Sequence, residues 1–205
     1  MTLPTTLTLN DGTQAPWMAF GTAALFGKDA TTAVTVAIQN GFTHVDGAQA
    51  YKNDDSLGAA IVASGKPRSE LYITTKLGKL APGETPKSAL QKSLEKLGVE
   101  YVDLYLIHRT HVHGGRIKEV WKGMEEAKAA HLTKSIGVSN FTGDYLEDIL
   151  KVATVIPAVN QVPRNNRFHS ELQFISYWSG TRWKLTHMYG EPLNPISLFT
   201  KDMAS

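Results

Sequence analysis

The chain has 205 residues, a formal net charge of +2, a hydrophobic fraction of 42% and a charged fraction of 20%. These values suit one compact globular domain and argue against a disordered or membrane-spanning chain. The small charge, with basic residues scattered among acidic ones, argues against a nucleic-acid partner. Because the sequence has no cysteine, it can form no disulfide, no thiolate metal site and no thiol nucleophile.

The N-terminus, MTLPTTLTLNDG, lacks a basic start followed by an apolar run and so predicts no signal peptide. No stretch approaches the roughly 20 apolar residues that are needed to cross a bilayer. We therefore expect a cytoplasmic protein without a membrane partner.

A β-hairpin is the first predicted element. Residues 6–16 alternate apolar and polar side chains around Asn10-Asp11-Gly12, which is typical of a tight turn. Short apolar strands then alternate with amphipathic helices. The predicted strands are 18–22, 44–46, 71–76, 102–107, 135–138 and 158–162. The predicted helices are 30–38, 54–64, 85–97, 117–130 and 142–152. This alternation predicts an α/β fold with a parallel sheet covered by helices.

The last part of the chain, 163–205, has a different character. It keeps neither a helical nor an alternating period, and it scatters aromatic residues among Arg, Asn and Ser. We expect an irregular tail here. A splice or frame artefact is the favoured interpretation of its origin, and a genuine divergent terminus is the alternative.

Polar side chains lie at or just past the ends of three successive predicted strands. They are Asp46 and Tyr51 in GFTHVDGAQAY, Lys76 in LYITTKL and His108 in VDLYLIHRTH. In a parallel β/α barrel the carboxyl ends of the strands converge on one mouth, where catalysis is almost always placed. Taken singly, each residue has an ordinary structural explanation, such as a turn cap or an exposed side chain. Together they favour a catalytic site.

These strings, followed by GVSNF and VIPAVNQV in the same order, resemble the motifs of the aldo-keto reductase family over residues 5–162. The resemblance implies a (β/α)8 TIM barrel that is incomplete here, with about six strands, and a truncated chain divided into a partial barrel at 1–162 and a non-family tail at 163–205. It implies reduction of small aldehydes and ketones with NADPH, which becomes NADP⁺. A non-catalytic scaffold or regulatory binding protein derived from the barrel is the alternative. The family implies a monomer, and open sheet edges would permit self-association.

In this resemblance Tyr51 is the general acid that protonates the carbonyl oxygen. An ordinary phenol has a pKa of about 10 and donates reluctantly at neutral pH. The ammonium of Lys76 would lower that pKa, and Asp46 would hold the ammonium in place. His108, expected to be neutral, would hydrogen-bond the substrate oxygen.

The resemblance also implies the cofactor contacts. Ser139, Asn140 and Gln161 would hydrogen-bond the carboxamide of nicotinamide, although a helix N-cap pair is the ordinary explanation of Ser139-Asn140. The residues expected near the nicotinamide end are Gly21, Thr22 and Asp46.

Three histidines, His108, His111 and His113, raise the possibility of a zinc site. We disfavour it, because no acidic or fourth histidine ligand is placed nearby. His111 and His113 are instead expected to line the substrate mouth, with His111 as the substrate-binding residue.

Three features depart from the family pattern. Gly47 stands where the family usually has Thr, which adds backbone freedom beside Tyr51. His131 stands where Gly is common, although histidine tolerates the left-handed conformation better than most residues. After Val162 no basic residue falls in the family's phosphate-binding motif, so cofactor affinity is expected to be weakened.

Overall fold

The computed structural model describes residues 6–163, 173–179 and 182–187, with side chains described for 6–162. The strands are β1 Thr6–Thr8, β2 Gln14–Pro16, β3 Phe20–Gly21, β4 His44–Asp46, β5 Tyr72–Leu77, β6 Val102–Ile107, β7 Thr133–Ser139, β8 Val159–Pro163, β9 Gln173–Ser179 and β10 Arg182–His187. The helices are α1 Gly27–Gln39, α2 Asp54–Ser64, α3 Pro86–Leu97, α4 Ile117–Ala129 and α5 Gly143–Leu150.

The main sheet has eight strands in the order β10-β9-β8-β7-β6-β5-β4-β3. Neighbouring strands from β3 to β8 are parallel, and their register pairs Gly21 with Asp46 and Ser139 with Gln161. The α/β class and the run of six parallel strands are therefore confirmed. Because parallel strands end at the same edge, this register brings the predicted site residues to one side of the sheet.

The helices bury apolar residues against the sheet, and α3 has the clearest end signals. At α3 the hydroxyl of Thr85 accepts a hydrogen bond from the Ser88 amide at 3.2 Å, and Pro86 occupies the first turn. The same helix ends at Gly98, whose φ of 65° lies in the left-handed region. Among the described residues, no helix is long and apolar enough to cross a membrane.

Two separate apolar cores lie on opposite faces of the sheet. The outer core packs the helices, with Trp121 of α4 and Leu90 of α3, against the face that carries Ile73 and Ile107. The inner core combines residues of the N-terminal hairpin and its flanking segment with residues on or beside the strands: Leu9, Ala15, Ala19, Tyr72, Leu104, Leu106, Ala158 and Val159. Since strand side chains alternate between faces, Lys76 shares the inner face with Tyr72. The site therefore lies on the inner face, beyond the inner core.

Two described segments of the C-terminal tail, 173–179 and 182–187, are strands and not the irregular structure that we expected, and the other residues after Pro163 lie outside the described ranges. β9 pairs antiparallel with β8, and β10 pairs antiparallel with β9, so these strands do not continue the β/α repeat. Both strands are rich in aromatic and β-branched residues, which favour a pleated surface. The register of this pair joins Ser179 to Arg182 and Phe174 to His187.

Candidate active site

A buried ion pair is the centre of the site. The Nζ atom of Lys76, at the end of β5, lies 2.6 Å from Oδ1 of Asp46, at the end of β4. The same ammonium donates to the carbonyl oxygen of Gly47 at 3.0 Å. Lys76 is 1% exposed and Asp46 is 3% exposed, so the pair is almost wholly withdrawn from water. At this depth each charged group needs its ion-pair and hydrogen-bond partners, because the burial of an unpaired charge costs much free energy.

The aromatic rings of Tyr51 and His108 complete the centre. The Lys76 ammonium lies 5.4 Å from the centroid of the Tyr51 ring. The rings of Tyr51 and His108 meet edge to face, with centroids 5.7 Å apart and an interplanar angle of 86°. Tyr51 ends a short 3₁₀ turn and is half-buried, whereas His108 directly follows β6. The structure thus brings all four predicted catalytic residues into one cluster.

A second set of polar side chains joins this cluster from β7 and β8. The Nε2 atom of Gln161 donates to Oδ2 of Asp46 at 3.0 Å, so each carboxylate oxygen of Asp46 accepts a hydrogen bond. The hydroxyl of Ser139 donates to the carbonyl oxygen of Gln161 at 2.8 Å. Asn140 donates from Nδ2 to the carbonyl oxygen of His108 and to Oγ of Ser139, each at 3.0 Å.

The donor chemistry of this second set fits an amide ligand such as the carboxamide of nicotinamide. Ser139, Asn140 and Gln161 together offer one hydroxyl and two amide groups, which supply both donors and acceptors. Ser139 and Gln161 are buried, whereas Asn140 is exposed at the mouth and holds a left-handed φ of 60°. A ligand that enters from the mouth therefore meets Asn140 before the two buried side chains.

Gly21 and Thr22 lie beside Asp46. Gly21 ends β3 opposite Asp46 in the sheet register. The backbone amide of Thr22 and its hydroxyl both donate to the carbonyl oxygen of Asp46, at 3.1 and 3.0 Å. Thr22 is fully buried, and Gly21 is exposed. The two residues thus fix the backbone of β4 on its β3 side.

The loop after β4 is more tightly held than Gly47 alone suggested. The Gly47 amide donates to the carbonyl oxygen of Thr74 at 2.8 Å, and a Cβ at Gly47 would lie 3.0 Å from Cδ1 of Leu57. This close packing offsets the added freedom of glycine. At the other expected departure, His131 adopts a left-handed φ of 59°, which is the conformation that we expected it to tolerate.

The three histidines differ in exposure. Burial, together with the nearby charges of Lys76 and Arg109, lowers the pKa of His108 to about 4, so its ring is neutral at physiological pH. His111 is exposed and His113 is buried, both in the 3₁₀ turn of the loop that follows His108. Within the described ranges, no group of three His, Asp or Glu side chains is arranged to hold a metal ion.

Two residues that hold the Tyr51 loop carried no recognised sequence signal. Gln49 accepts from the Gly78 amide at 2.8 Å and donates to the carbonyl oxygen of Ala89 at 3.0 Å. Asn53 donates from Nδ2 to two carbonyl oxygens of the loop after β3, each at 2.9 Å. Their nearness to Tyr51 in the sequence was the only available hint, since partners so distant in sequence become visible only in the fold.

Comparison with known proteins identifies close similarities. A model of the Aldo/keto reductase family matches residues 17–173. An aldo-keto reductase from Mycolicibacterium vanbaalenii is 42% identical over 158 residues, and one from Mycobacterium bovis is 41% identical over 157 residues. These matches cover 77% and 76% of this chain but only 57% and 56% of the two relatives. The chain thus spans little more than half the length of these curated relatives.

Solved structures give the same picture of the fold. An aldo/keto reductase from Brucella melitensis has a TM-score of 0.70 and 36% identity, over 80% of this chain and 64% of that one. A Bombyx mori aldo-keto reductase in complex with NADP has a TM-score of 0.68 and 34% identity, over 78% of this chain and 58% of that one.

Proposed function

This chain belongs to the aldo/keto reductase family, and from that premise we propose that it reduces small aldehydes and ketones to alcohols with NADPH. The observation that carries the proposal is the contact between a buried Asp46–Lys76 ion pair, the Tyr51 ring and the His108 ring at the mouth of the sheet. In this oxidoreductase reaction NADPH, when bound, supplies the hydride to the carbonyl carbon. The residues of the chain supply the proton and orient the substrate.

Tyr51 is the proton donor in this proposal. Its phenol is half-buried at the mouth, where a small carbonyl compound can reach it. As the carbonyl oxygen gains negative charge, the phenol proton moves to that oxygen, and negative charge develops on the phenol oxygen. A positioned general acid of this kind contributes about 10² to 10⁴ in rate.

Lys76 and Asp46 favour this proton transfer electrostatically. The ammonium lies 5.4 Å from the phenol ring, close enough to stabilise the negative charge that develops there in a poorly hydrated site. Asp46 holds the ammonium at 2.6 Å, and Gln161 holds the second oxygen of Asp46. The positive charge is therefore fixed before the reaction begins and requires no reorganisation during it.

His108 orients the substrate. Because the lowered pKa keeps its imidazole neutral, one ring nitrogen can donate a hydrogen bond to the carbonyl oxygen without adding a competing acidic proton. The edge-to-face contact with Tyr51 places both rings beside the same space. His111, exposed on the following loop, is proposed to contact the rest of the substrate.

The cofactor contacts are proposed from the donor chemistry of the site. Ser139, Asn140 and Gln161 would hold the carboxamide of nicotinamide, and Gly21, Thr22 and Asp46 would lie beside its ring. Preference for NADPH over NADH is inherited from the family resemblance. We also propose that the family's part of the chain ends near residue 162, shortly before the end of the family match at residue 173, and that the protein is a cytoplasmic monomer.

Replacement of the proposed acid tests this function. Tyr51→Phe keeps the ring that contacts Lys76 and His108 but removes the proton, so we expect the rate of NADPH oxidation with a small aldehyde to fall by about 10² or more. NADPH affinity, measured by nicotinamide fluorescence, should change little. Gln14→Leu, in the N-terminal hairpin, is the control and should leave the rate unchanged.

An unchanged turnover in Tyr51→Phe would refute the assignment of the acid. A wild-type chain that binds no NADPH at millimolar concentration would refute the reductase function and favour a non-catalytic scaffold. Binding without turnover would contradict the proposed reaction and leave cofactor recognition as the retained property.

A further inference from the structure

We infer that Gln49 is a positioning residue that fixes the Tyr51 phenol relative to Lys76 by tying the loop after β4 to the end of β5. The inference rests on the proposed function, because the position of the phenol matters only if Tyr51 donates a proton. Gln49 and Tyr51 begin and end the same 3₁₀ turn. Movement at Gln49 is therefore transmitted to Tyr51 through a single turn of backbone.

The side chain of Gln49 is held at both polar atoms. Its Oε1 accepts from the Gly78 amide at 2.8 Å. Its Nε2 donates to the carbonyl oxygen of Ala89 at 3.0 Å and to Oγ of Ser93 at 3.1 Å, both in α3. The three hydrogen bonds together hold the side chain in one rotamer.

The bond to Gly78 links the 3₁₀ turn that carries the proposed acid to the end of β5, the strand that carries the ammonium. Gly78 lies two residues after Lys76, and Gln49 lies two residues before Tyr51. The bond therefore closes a short bridge between the end of β5 and the 3₁₀ turn. Because this bridge ends two residues from each reacting group, it helps to set the separation of Tyr51 and Lys76, together with the contacts of Gly47 to β5.

A second clamp holds the far end of the same loop. Asn53 donates to the carbonyl oxygens of Thr22 and Leu25, which fixes the start of α2 against the loop after β3. This clamp sets the direction of the loop but does not reach β5. Besides the contacts of Gly47 with Thr74 and Lys76, the loop after β4 thus has two side-chain anchors, and Gln49 provides the one that reaches the segment after β5.

The replacement Gln49→Met keeps the size of the side chain and removes all three hydrogen bonds. We expect kcat to fall by about 10- to 100-fold, since a misplacement of the order of 1 Å can have an effect of that size. KM for the aldehyde should stay within about twofold, because the binding groups at the mouth are untouched. Gln14→Met makes the same change in the N-terminal hairpin, where the side chain also bonds a neighbour, and it should leave kcat unchanged.

A spectroscopic measurement tests the position of the ring without any turnover. The Tyr51 ring lies edge to face with His108, so it shifts the NMR signals of the His108 ring protons. We expect Gln49→Met to move these signals half or more of the way toward their values in Tyr51→Leu, which lacks the ring. A smaller movement would overturn the inference, and so would an unchanged kcat in an active enzyme. If the wild-type chain reduces no aldehyde, the proposed function fails, and the NMR measurement alone decides the inference.

Hydrogen exchange of the unmodified chain covers the case in which Gln49→Met does not fold. The Gly78 amide lies in a loop, and its bond to Gln49 should make it exchange far more slowly than the amides of exposed loop residues. Slow exchange would support the bridge. Exchange as fast as that of a free loop amide would overturn it.

Discussion

Asp46 is the most heavily engaged single residue of the site. Its two carboxylate oxygens accept from Lys76 and Gln161, and its backbone carbonyl accepts from Thr22. A buried ion pair of this type adds little net stability, because desolvation offsets most of the attraction, yet removal of one partner costs about 3–5 kcal/mol. The pair is therefore better explained by the need to hold a cation beside Tyr51 than by a need for stability.

The buried histidines make stability depend on pH. Burial lowers the pKa of His44 to about 4, while the unfolded chain binds that proton near pH 6.5. The unfolded state therefore gains a proton first as the pH falls, and stability that is complete above pH 6.5 is lost down to about pH 4. By linkage His44 alone should account for a loss of about 3 kcal/mol.

Urea unfolding of the wild type and of His44→Gln at pH 7 and at pH 4.5 measures this loss. We expect a clearly smaller pH dependence in the variant, whatever its stability at pH 7. Equal pH dependence in the two proteins would contradict the role given to His44.

The elements that the sequence predicted well are those with strong local signals. α2 and β6 have the predicted bounds, and α3 has the predicted Thr85 cap and Pro86, because periodicity and end signals agree there. The motifs also predicted that Asp46, Tyr51, Lys76 and His108 lie together, and the structure brings them into one cluster. Sequence could not reveal the bond between Gln161 and Asp46, because 115 positions separate them along the chain. Nor did it reveal β9 and β10, whose short aromatic segments carry a β signal that only pairing with β8 makes visible.

The N-terminal hairpin is attached to the barrel through Asp11. Burial raises the pKa of this carboxyl group, but hydrogen bonds from Lys128, Thr13 and Ser135 outweigh it, so the pKa lies below its ordinary value. Stability from this attachment is present above about pH 4 and is lost as the pH falls through the lowered value.

Asp11→Asn should therefore lower the free energy of unfolding by about 1 kcal/mol at pH 7. At pH 3 the substitution should lower this free energy by less. Urea unfolding at pH 7 and pH 3 checks this. An equal loss in both conditions would show that charge is not what attaches the hairpin.

At the scale of the whole molecule, six parallel strands are extended by an antiparallel pair. β9 pairs with the edge of β8 along five positions from Val159 to Pro163. Without β9 that edge would present unpaired amide and carbonyl groups to another chain. The helices cannot compensate, because they pack on the faces of the sheet and not on its edge.

A chain that ends at Pro163 should consequently self-associate, as measured by size-exclusion chromatography with light scattering. A chain that ends at His187 keeps both β9 and β10 and is the matched control, which should behave as the full chain does. A monomeric chain ending at Pro163 would contradict the protective role of the hairpin.

The four proposed chemical groups come from three neighbouring strands, β4, β5 and β6, and the loops that directly follow them. A gene segment that encodes only these consecutive units carries the four proposed groups but lacks Thr22 and Gln161, whose hydrogen bonds hold Asp46. A fusion that joins foreign sequence directly after β6 would therefore keep the four groups together but would have to supply a new donor for the second carboxylate oxygen of Asp46.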